Sequence, residues 1–396
     1  MFTAIKQIIA VTALNLRTIP ARLGSSAVGV VGIAGVVVVF VSVLSIAAGF
    51  SAAMQGAGSP TRAIITRSGA DDEMSSILLG PEIELIKQAP GIMHEGQTAI
   101  ASGELFVILA VPKKTTGTDA NVPMRGIEPT VMKVRTDASL VAGRMLEFGT
   151  NEVIVGRGAN NQFVGLNVGD ELRSGQQSWK IVGIFEQDGG VSETEIWCDA
   201  RTLQGAYRRG NSYQSVLARL EGAGSFDAFK DWLTTNKQLS VNVRRESDYY
   251  ISQSRIMTQL INGIGIGIGV LMGLGAVFGA ILTMYTAVAS RTREIATLRA
   301  LGFNRTSVVI SVLGEALALG AIGGALGGAL AYFAFNGYQT STMNFQTFSQ
   351  VAFAFLVTPA LLMAGLTYAL ALGLIGGLFP AIRAARLPIP SALREL

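Results

Sequence analysis

The sequence is short of charge, of histidine and of cysteine. Only 15% of its 396 residues are Asp, Glu, Lys or Arg, against about 25% in an ordinary soluble domain, and that shortage excludes a wholly soluble chain. A single histidine, His94, and a single cysteine, Cys198, exclude a clustered zinc site and a disulfide. A Ser/His/Asp triad would rest on His94 alone, in a turn-like stretch between Gly91 and Gly96 without a nucleophile-elbow sequence. His94 therefore reads as a surface loop residue, and Cys198, beside Trp197, as a small packed one. No lysine follows a glycine, so the Gly-Lys-Ser/Thr core of a phosphate-binding P-loop is missing.

The missing charge is missing in blocks. No charged residue occurs between Arg22 and Arg62, and residues 28–50 are almost continuously apolar. A hydrocarbon core of about 30 Å needs about 20 such residues in a helix. The same test finds a second stretch between Arg255 and Arg291, a third over 308–335 broken only by Glu315, and a fourth over 351–382. The first run exceeds the roughly 7–15 apolar residues of a signal peptide and reads as an uncleaved anchor. The expected fold is an integral membrane α-helical protein of four transmembrane helices, with a mixed α/β extracytoplasmic domain inserted between helices one and two.

The net charge of +4 would suit a nucleic-acid binder only if the basic residues were gathered in one patch. They are instead sorted by segment. Residues 51–255 are net acidic, whereas Lys6, Arg17, Arg22, Arg291, Arg293, Arg299, Arg305, Arg383, Arg386 and Arg394 fall in the N-terminal segment, the second loop and the tail. Basic short loops mark the cytoplasmic side, so both termini are expected inside, the large domain is expected outside, and a nucleic-acid partner is not expected.

Residues 2–19 place Phe2, Ile5, Ile9, Leu16 and Ile19 on one helical face and Lys6 and Arg17 on the other, and Pro20 interrupts the run. This fits either an interfacial amphipathic helix or a span end dipping into the headgroups. In the outer domain, 152–156 and 179–185 read as strands, 174–177 as a turn, 81–89 as a helix opened by Pro81, and 225–236 as a helix capped by Ser225. The charge-free interval before Arg291 would be roughly 50 Å long if helical at 1.5 Å per residue. A stalk toward the outer domain, a steep tilt or a glycine break would each absorb the excess.

Glycines recur every four residues: Gly265, Gly269 and Gly273 in the second span, Gly320, Gly324 and Gly328 in the third, and Gly373 and Gly377 in the fourth. Such spacing lets helix backbones approach closely in lipid, within one bundle or across a dimer contact. Glu315 is the one ionisable residue at depth. It is expected to form an intramembrane ion pair near the inner surface with Arg299, Arg305 or a basic residue of the tail.

Between spans two and three, Ile295, Leu298 and Leu301 fall on one side of a short basic helix; Gly302 is placed to end it and Asn304 to cap the next. The motif Arg-x-x-Glu-Ile-Ala-x-Leu-Arg-Ala-Leu-Gly (291–302), followed by Gly-Glu-Ala (314–316) and a glycine-rich span, resembles the FtsX-type permease domain of MacB-like ABC transporters. The tail 379–394 (Phe-Pro-Ala-Ile-Arg-Ala-Ala-Arg, then Ala-Leu-Arg) is similar to the family's closing pattern. Residues 123–186, with Met-Arg-Gly-Ile-Glu-Pro (124–129) and Gly-Thr-Asn-Glu-Val-Ile-Val-Gly (149–156), resemble its periplasmic core domain.

That resemblance divides the chain into a cytoplasmic amphipathic helix (1–23), a first span (24–50), a periplasmic core domain (51–255) and a second span with its possible stalk (256–290). A coupling helix (291–305), a third span (306–335), an outer loop (336–350), a fourth span (351–382) and a cytoplasmic tail (383–396) follow. It implies a non-catalytic, dimeric permease of a bacterial inner membrane. Arg291, Arg293, Glu294 and Arg299 would make polar contacts to an ATPase subunit that binds ATP and magnesium, and Ile295, Leu298 and Leu301 would pack into that partner or the inner bundle. The family's MacB prototype carries a fused N-terminal ATPase and this sequence does not, so the ATPase is expected on a separate chain. Export with a periplasmic adaptor and outer-membrane channel, lipoprotein release, and FtsX-type activation of a cell-wall hydrolase share this architecture; an outer domain of this size favours the first two.

Overall fold

The computed structural model describes Thr12 and residues 23–174 and 177–388. Apart from Thr12, the expected helix over 2–19 lies outside the described residues, as do the two central residues of the 174–177 turn and the tail beyond Pro388. The principal elements begin with helix α1 (Leu23–Gly56), strand β1 (Arg62–Arg67), helix α2 (Gly80–Lys87), and strands β2 (Ala101–Pro112), β3 (Asp119–Ile127), β4 (Ser139–Gly143), β5 (Glu152–Gly156), β6 (Glu171–Ser174), β7 (Gln177–Glu186) and β8 (Ile196–Asp199). Next come helix α3 (Ala200–Ala206), strand β9 (Ser215–Arg219), helix α4 (Phe226–Thr235), strand β10 (Val241–Arg245), and helices α5 (Glu246–Ala289), α6 (Thr292–Ala300) and α7 (Arg305–Phe335). A hairpin of β11 (Gln339–Met343) and β12 (Gln350–Ala354) then precedes the last helix, α8 (Pro359–Arg386). Two compact units result: Met1–Ala48 with Leu260–Tyr338 and Phe355–Leu396, and Gly49–Gln259 with Gln339–Ala354.

In the first unit, α1, α5, α7 and α8 are long and apolar enough to cross a membrane. Their glycines let one backbone lie against another. A Cβ built on Gly320 would stand 2.9 Å from the Ala369 carbonyl oxygen, and one on Gly373 2.7 Å from that of Ala316, so α7 and α8 meet through mutual glycine contacts. Gly324, Gly328 and Gly377 continue that seam against Ala369, Leu362 and Ala316. Gly265 and Gly269 receive Val43 and Phe40 of α1, and Gly273 receives Tyr368 of α8, whose hydroxyl donates to the Gly269 carbonyl at 2.6 Å. All eight glycines singled out by spacing thus face another helix of the same chain. Gly323 and Gly327 of α7 and Gly365 of α8 play the same part against α1, and Gly376 of α8 against Ala280 of α5.

Two boundaries differ most from the sequence reading. The fourth span starts at Pro359 rather than 351: the apolar run Val351–Phe353 is a buried strand of the hairpin, and the helix opens where the Thr358 hydroxyl accepts the Leu361 amide at 3.2 Å. An apolar run alone cannot separate a buried strand from a helix, and the Thr-Pro start signal decides it. The second membrane helix begins ten residues earlier than read, at Glu246, and its 44 residues extend for about 66 Å at 1.5 Å per residue. Glu246 and Asp248 in its first turn suit the positive end of the helix dipole.

The second unit carries a ten-stranded sheet in the order β10-β1-β9-β2-β3-β8-β5-β7-β4, with β6 paired to β7. Strands over 152–156 and within 177–186 form as read, and α2 covers most of 81–89. Helix α4 follows Ser225, but that residue continues a short 3-10 turn with αR backbone, so its hydroxyl makes no capping bond. The Asp199 side chain caps α3 through the Thr202 amide at 2.9 Å. His94 is exposed, and Cys198 is fully buried in the apolar core.

The sheet has two lobes with separate cores. β1, β9 and β10 pack Ile65, Val216 and Val243 against Phe229 and Leu233 of α4. Leu105, Val107 and Leu109 of β2 belong to the other core, with Met124, Val153, Ile181 and Trp179. β2 joins them: Glu104 is its last residue opposite β9, across from Ser215, and Leu105 its first opposite β3.

Charges fill that joint. Arg125 gives bidentate hydrogen bonds to Glu73 (2.7 and 3.1 Å) and Glu195 (both 2.7 Å) and a third contact to Glu104 at 2.8 Å, which Arg135 also reaches at 3.0 Å. All five side chains are buried. Burial pushes the Glu104 carboxyl above its ordinary range despite both arginines, whereas at Glu73 burial is outweighed by the charge and hydrogen bonds of Arg125, which hold it below. The expected outer loop is the β11–β12 hairpin, seated on this domain by the Ala352 amide on the Thr194 hydroxyl at 2.8 Å and by Asn344 on Gln253 at 3.1 Å.

Gly373→Leu should therefore wedge α7 from α8 at a cost of about 1–3 kcal/mol, the usual range for overpacking. Gly279→Leu, where a Cβ meets nothing within 4 Å, is the control. Thermal unfolding of the detergent-solubilised protein should show a lower melting temperature for the first only; equal melting temperatures would contradict this packing.

Candidate coupling site

Helix α6 is nine residues long, too short to stand alone, so its position is set by what holds it. It enters from α5 through a turn at Ser290 and Arg291, where the Arg291 amide bonds to the Val288 carbonyl at 3.1 Å. It leaves through a Schellman closure: the Phe303 amide returns to the Leu298 carbonyl and the Gly302 amide to that of Arg299, both at 3.2 Å, with Gly302 at φ +94°. Only a residue tolerant of left-handed backbone fits there, so Gly302 ends the helix as its place in the motif suggests. Asn304 precedes α7 without a side-chain capping bond.

Three contacts pin α6 to the bundle. Ile295 and Ala296 are buried, and Ile295 packs among Met284 and Val288 of α5, Val308 and Val312 of α7, and Ala381 and Ala384 of α8. Arg291, with 4% of its side chain exposed, donates to Glu315 of α7 at 2.7 Å and lies 3.4 Å from Glu294. Arg299 donates to the Leu387 carbonyl, just beyond α8, at 2.5 Å. Arg383, near the end of α8, stacks over the Tyr285 ring of α5 at 5.2 Å.

The sequence reading is corrected here in two respects. Among the described residues Glu315 pairs with Arg291, not with Arg299, Arg305, Arg383 or Arg386, because the tight α5–α6 turn returns Arg291 toward α7. Arg291 and Arg299, expected to contact a partner, also make contacts inside the chain that the sequence reading did not include. Ile295 faces inward and Leu298 is half-buried. The opposite face carries Arg293, Glu294, Thr297 and Ala300, all exposed, with Leu301 at its end 72% exposed. Thr297 was not singled out, although its i, i+4 spacing from Arg293 puts it on the same face.

A helix welded to three membrane helices on one face and open on the other, in a chain whose first two spans bracket an α/β domain, is the architecture of a permease. Residues 26–236 match the MacB-like periplasmic core domain, and residues 266–389 match the FtsX-like permease C-terminal domain. The first match covers more than half of the sequence, and the chain belongs to the MacB/FtsX-type permeases of ABC transporters.

An uncharacterized ABC transporter permease of Methanocaldococcus jannaschii is 28% identical over 166 residues, 40% of this chain and 44% of that protein. The macrolide export ATP-binding/permease protein MacB of a Shewanella species is 24% identical over 241 residues, 58% of this chain and 35% of that protein. The chain thus spans less than half the length of either relative. The crystal structure of the periplasmic region of MacB from Actinobacillus actinomycetemcomitans aligns with 51% of this chain and 95% of its own at 13% identity and a TM-score of 0.37.

Removing one partner of a buried pair strands the other charge, so Arg291→Ala should destabilise the protein by about 3–5 kcal/mol. Arg291→Leu combined with Glu315→Leu should recover most of that loss. A double-mutant cycle on thermal unfolding checks it, and strictly additive effects would mean the two side chains do not interact.

Proposed function

We propose that this chain is the permease subunit through which ATP hydrolysis on a separate ATPase subunit moves the inserted domain, driving export of a periplasmic or membrane-derived substrate. The observation that carries the reading is the two-faced α6. Its inner face cannot shift without α5, α7 and α8, so a force on its outer face is delivered to the whole bundle. The exposed face offers Arg293 and Glu294 for polar contacts, with Thr297 and Leu301 to fill a shallow groove on the partner.

The sorting of basic residues supports an orientation with both termini and α6 in the cytoplasm and the inserted domain outside. ATP and its magnesium would be bound by the partner, and two copies of the permease, identical or paired with a related chain, would meet two ATPase subunits. The part of α5 that runs from Glu246 beyond the length needed to cross lipid supports the stalk reading. The relative named for macrolide export supports efflux over lipoprotein release or cell-wall signalling.

The test is co-purification with an ATPase encoded beside this gene. Glu294→Lys and Leu301→Asp, both on the open face, should each weaken the complex by about tenfold or more, equivalent to at least about 1.4 kcal/mol, and lower its ATP turnover in parallel while leaving the permease folded. Unchanged binding and turnover in both variants would remove α6 as the docking helix.

A further inference from the structure

The two membrane helices that bracket the inserted domain meet it at one side chain, that of Arg62. The carbonyl of Ala57, immediately after α1, accepts from Arg62 Nη2 at 3.0 Å. Glu246, the first residue of α5, accepts from Arg62 Nε through Oε2. The same Oε2 takes the backbone amide of Ser59 at 3.0 Å, and Oε1 takes Arg135 Nη1 at 3.3 Å. Arg62 completes its fork with Asp137, at 2.5 and 3.0 Å. Arg62 and Glu246 are buried, and the backbones beside them nearly touch: a Cβ on Gly58 would stand 2.6 Å from the Cα of Ser247.

From this knot a line of buried charges continues into the sheet. Arg135 bonds both Glu246 and Glu104, and Glu104 bonds Arg125, so an unbroken chain of buried ionic contacts runs from the start of α5 to the β2 residue at which the two lobes join. A buried arginine with three different acceptors has one geometry in which all are met, and displacing any of them leaves a desolvated charge. That makes the knot stiff, whereas a purely apolar contact at this place could slide.

We propose that Glu246, gripped by Arg62 and Arg135, is the positioning residue through which movement of α1 and α5 reaches the joint between the two lobes. The inference rests on the permease reading above and adds the point at which motion enters the domain. Glu246→Gln keeps the size of the side chain and removes the charge that holds both arginines. In the full chain bound to its ATPase, the variant should still assemble and hydrolyse ATP. The domain should no longer follow.

The experiment is hydrogen–deuterium exchange of that complex with ADP and with ATP trapped by vanadate. In the wild type, ATP should change exchange both in α5 and in β2 and β3. In Glu246→Gln, the change within α5 should persist while that in β2 and β3 falls by about fivefold or more, the lower end of ordinary coupling factors. Arg67→Gln, at the far end of β1 where Arg67 pairs with Glu82, should leave both changes intact. Arg62→Lys, which keeps a charge but cannot reach three acceptors at once, should reproduce the loss and serves if Glu246→Gln does not fold. A full ATP-dependent change in β2 and β3 in either variant overturns the proposal. A wild type in which ATP changes nothing overturns the permease reading itself, and the proposal with it.

Discussion

The structure depends at several places on contacts that cannot slide. In the bundle this is achieved with backbone: glycines on α7 and α8 bring Cα atoms and carbonyls of the two helices together, and a side chain at Gly320 or Gly373 would push them apart. In lipid, no hydrophobic gain draws two helices together, so the depth of this fit is what fixes them. At both ends of α5 fit gives way to charge. Arg291 and Glu315 hold the α5–α6 turn to α7, and Arg62 and Glu246 hold the ends of α1 and α5 to β1.

These ion pairs are poor choices if stability alone is at stake, because burying charge costs nearly as much as pairing returns. They are good choices for direction. A guanidinium with two or three acceptors tolerates one arrangement, and an element tied by it moves with its partner or breaks the tie. The two knots lie where helices of the membrane unit turn into something else, α5 into α6 at one end and β10 into α5 at the other. An apolar interface at either turn would allow slippage.

Much of the membrane part was legible in the sequence, since lipid imposes one rule on every span: about 20 residues without charge. The glycine repeat located the α7–α8 seam for the same reason. The fourth span starts later than its apolar run because Val351–Phe353 is apolar for another cause, burial in a hairpin, and a short strand with three consecutive buried residues carries no alternation to set against hydropathy. Glu315 was recognised as paired, but its partner was not. Distance along the chain favoured Arg305, and only the sharp turn after Ala289 brings Arg291 back to it. The Arg62–Glu246 knot was invisible, joining residues 184 positions apart. A signal did exist: Glu104 and Arg125 are lone charges inside apolar strand runs, Gly-Glu-Leu-Phe-Val and Val-Pro-Met-Arg-Gly-Ile, and a charge with no solvent must have a counter-charge.

On the proposed reading, nucleotide state at the ATPase and conformation of the inserted domain are thermodynamically coupled through this chain. Coupling between binding equilibria is reciprocal, so the most direct measurement is the affinity of the assembled complex for ATP with and without antibody fragments bound to the inserted domain. The account predicts that at least one fragment shifts ATP affinity, and that ATP shifts the affinity of that fragment by the same factor. If a panel covering both lobes leaves ATP affinity unchanged, and ATP leaves every fragment's affinity unchanged, the domain does not sense the nucleotide and the account is wrong.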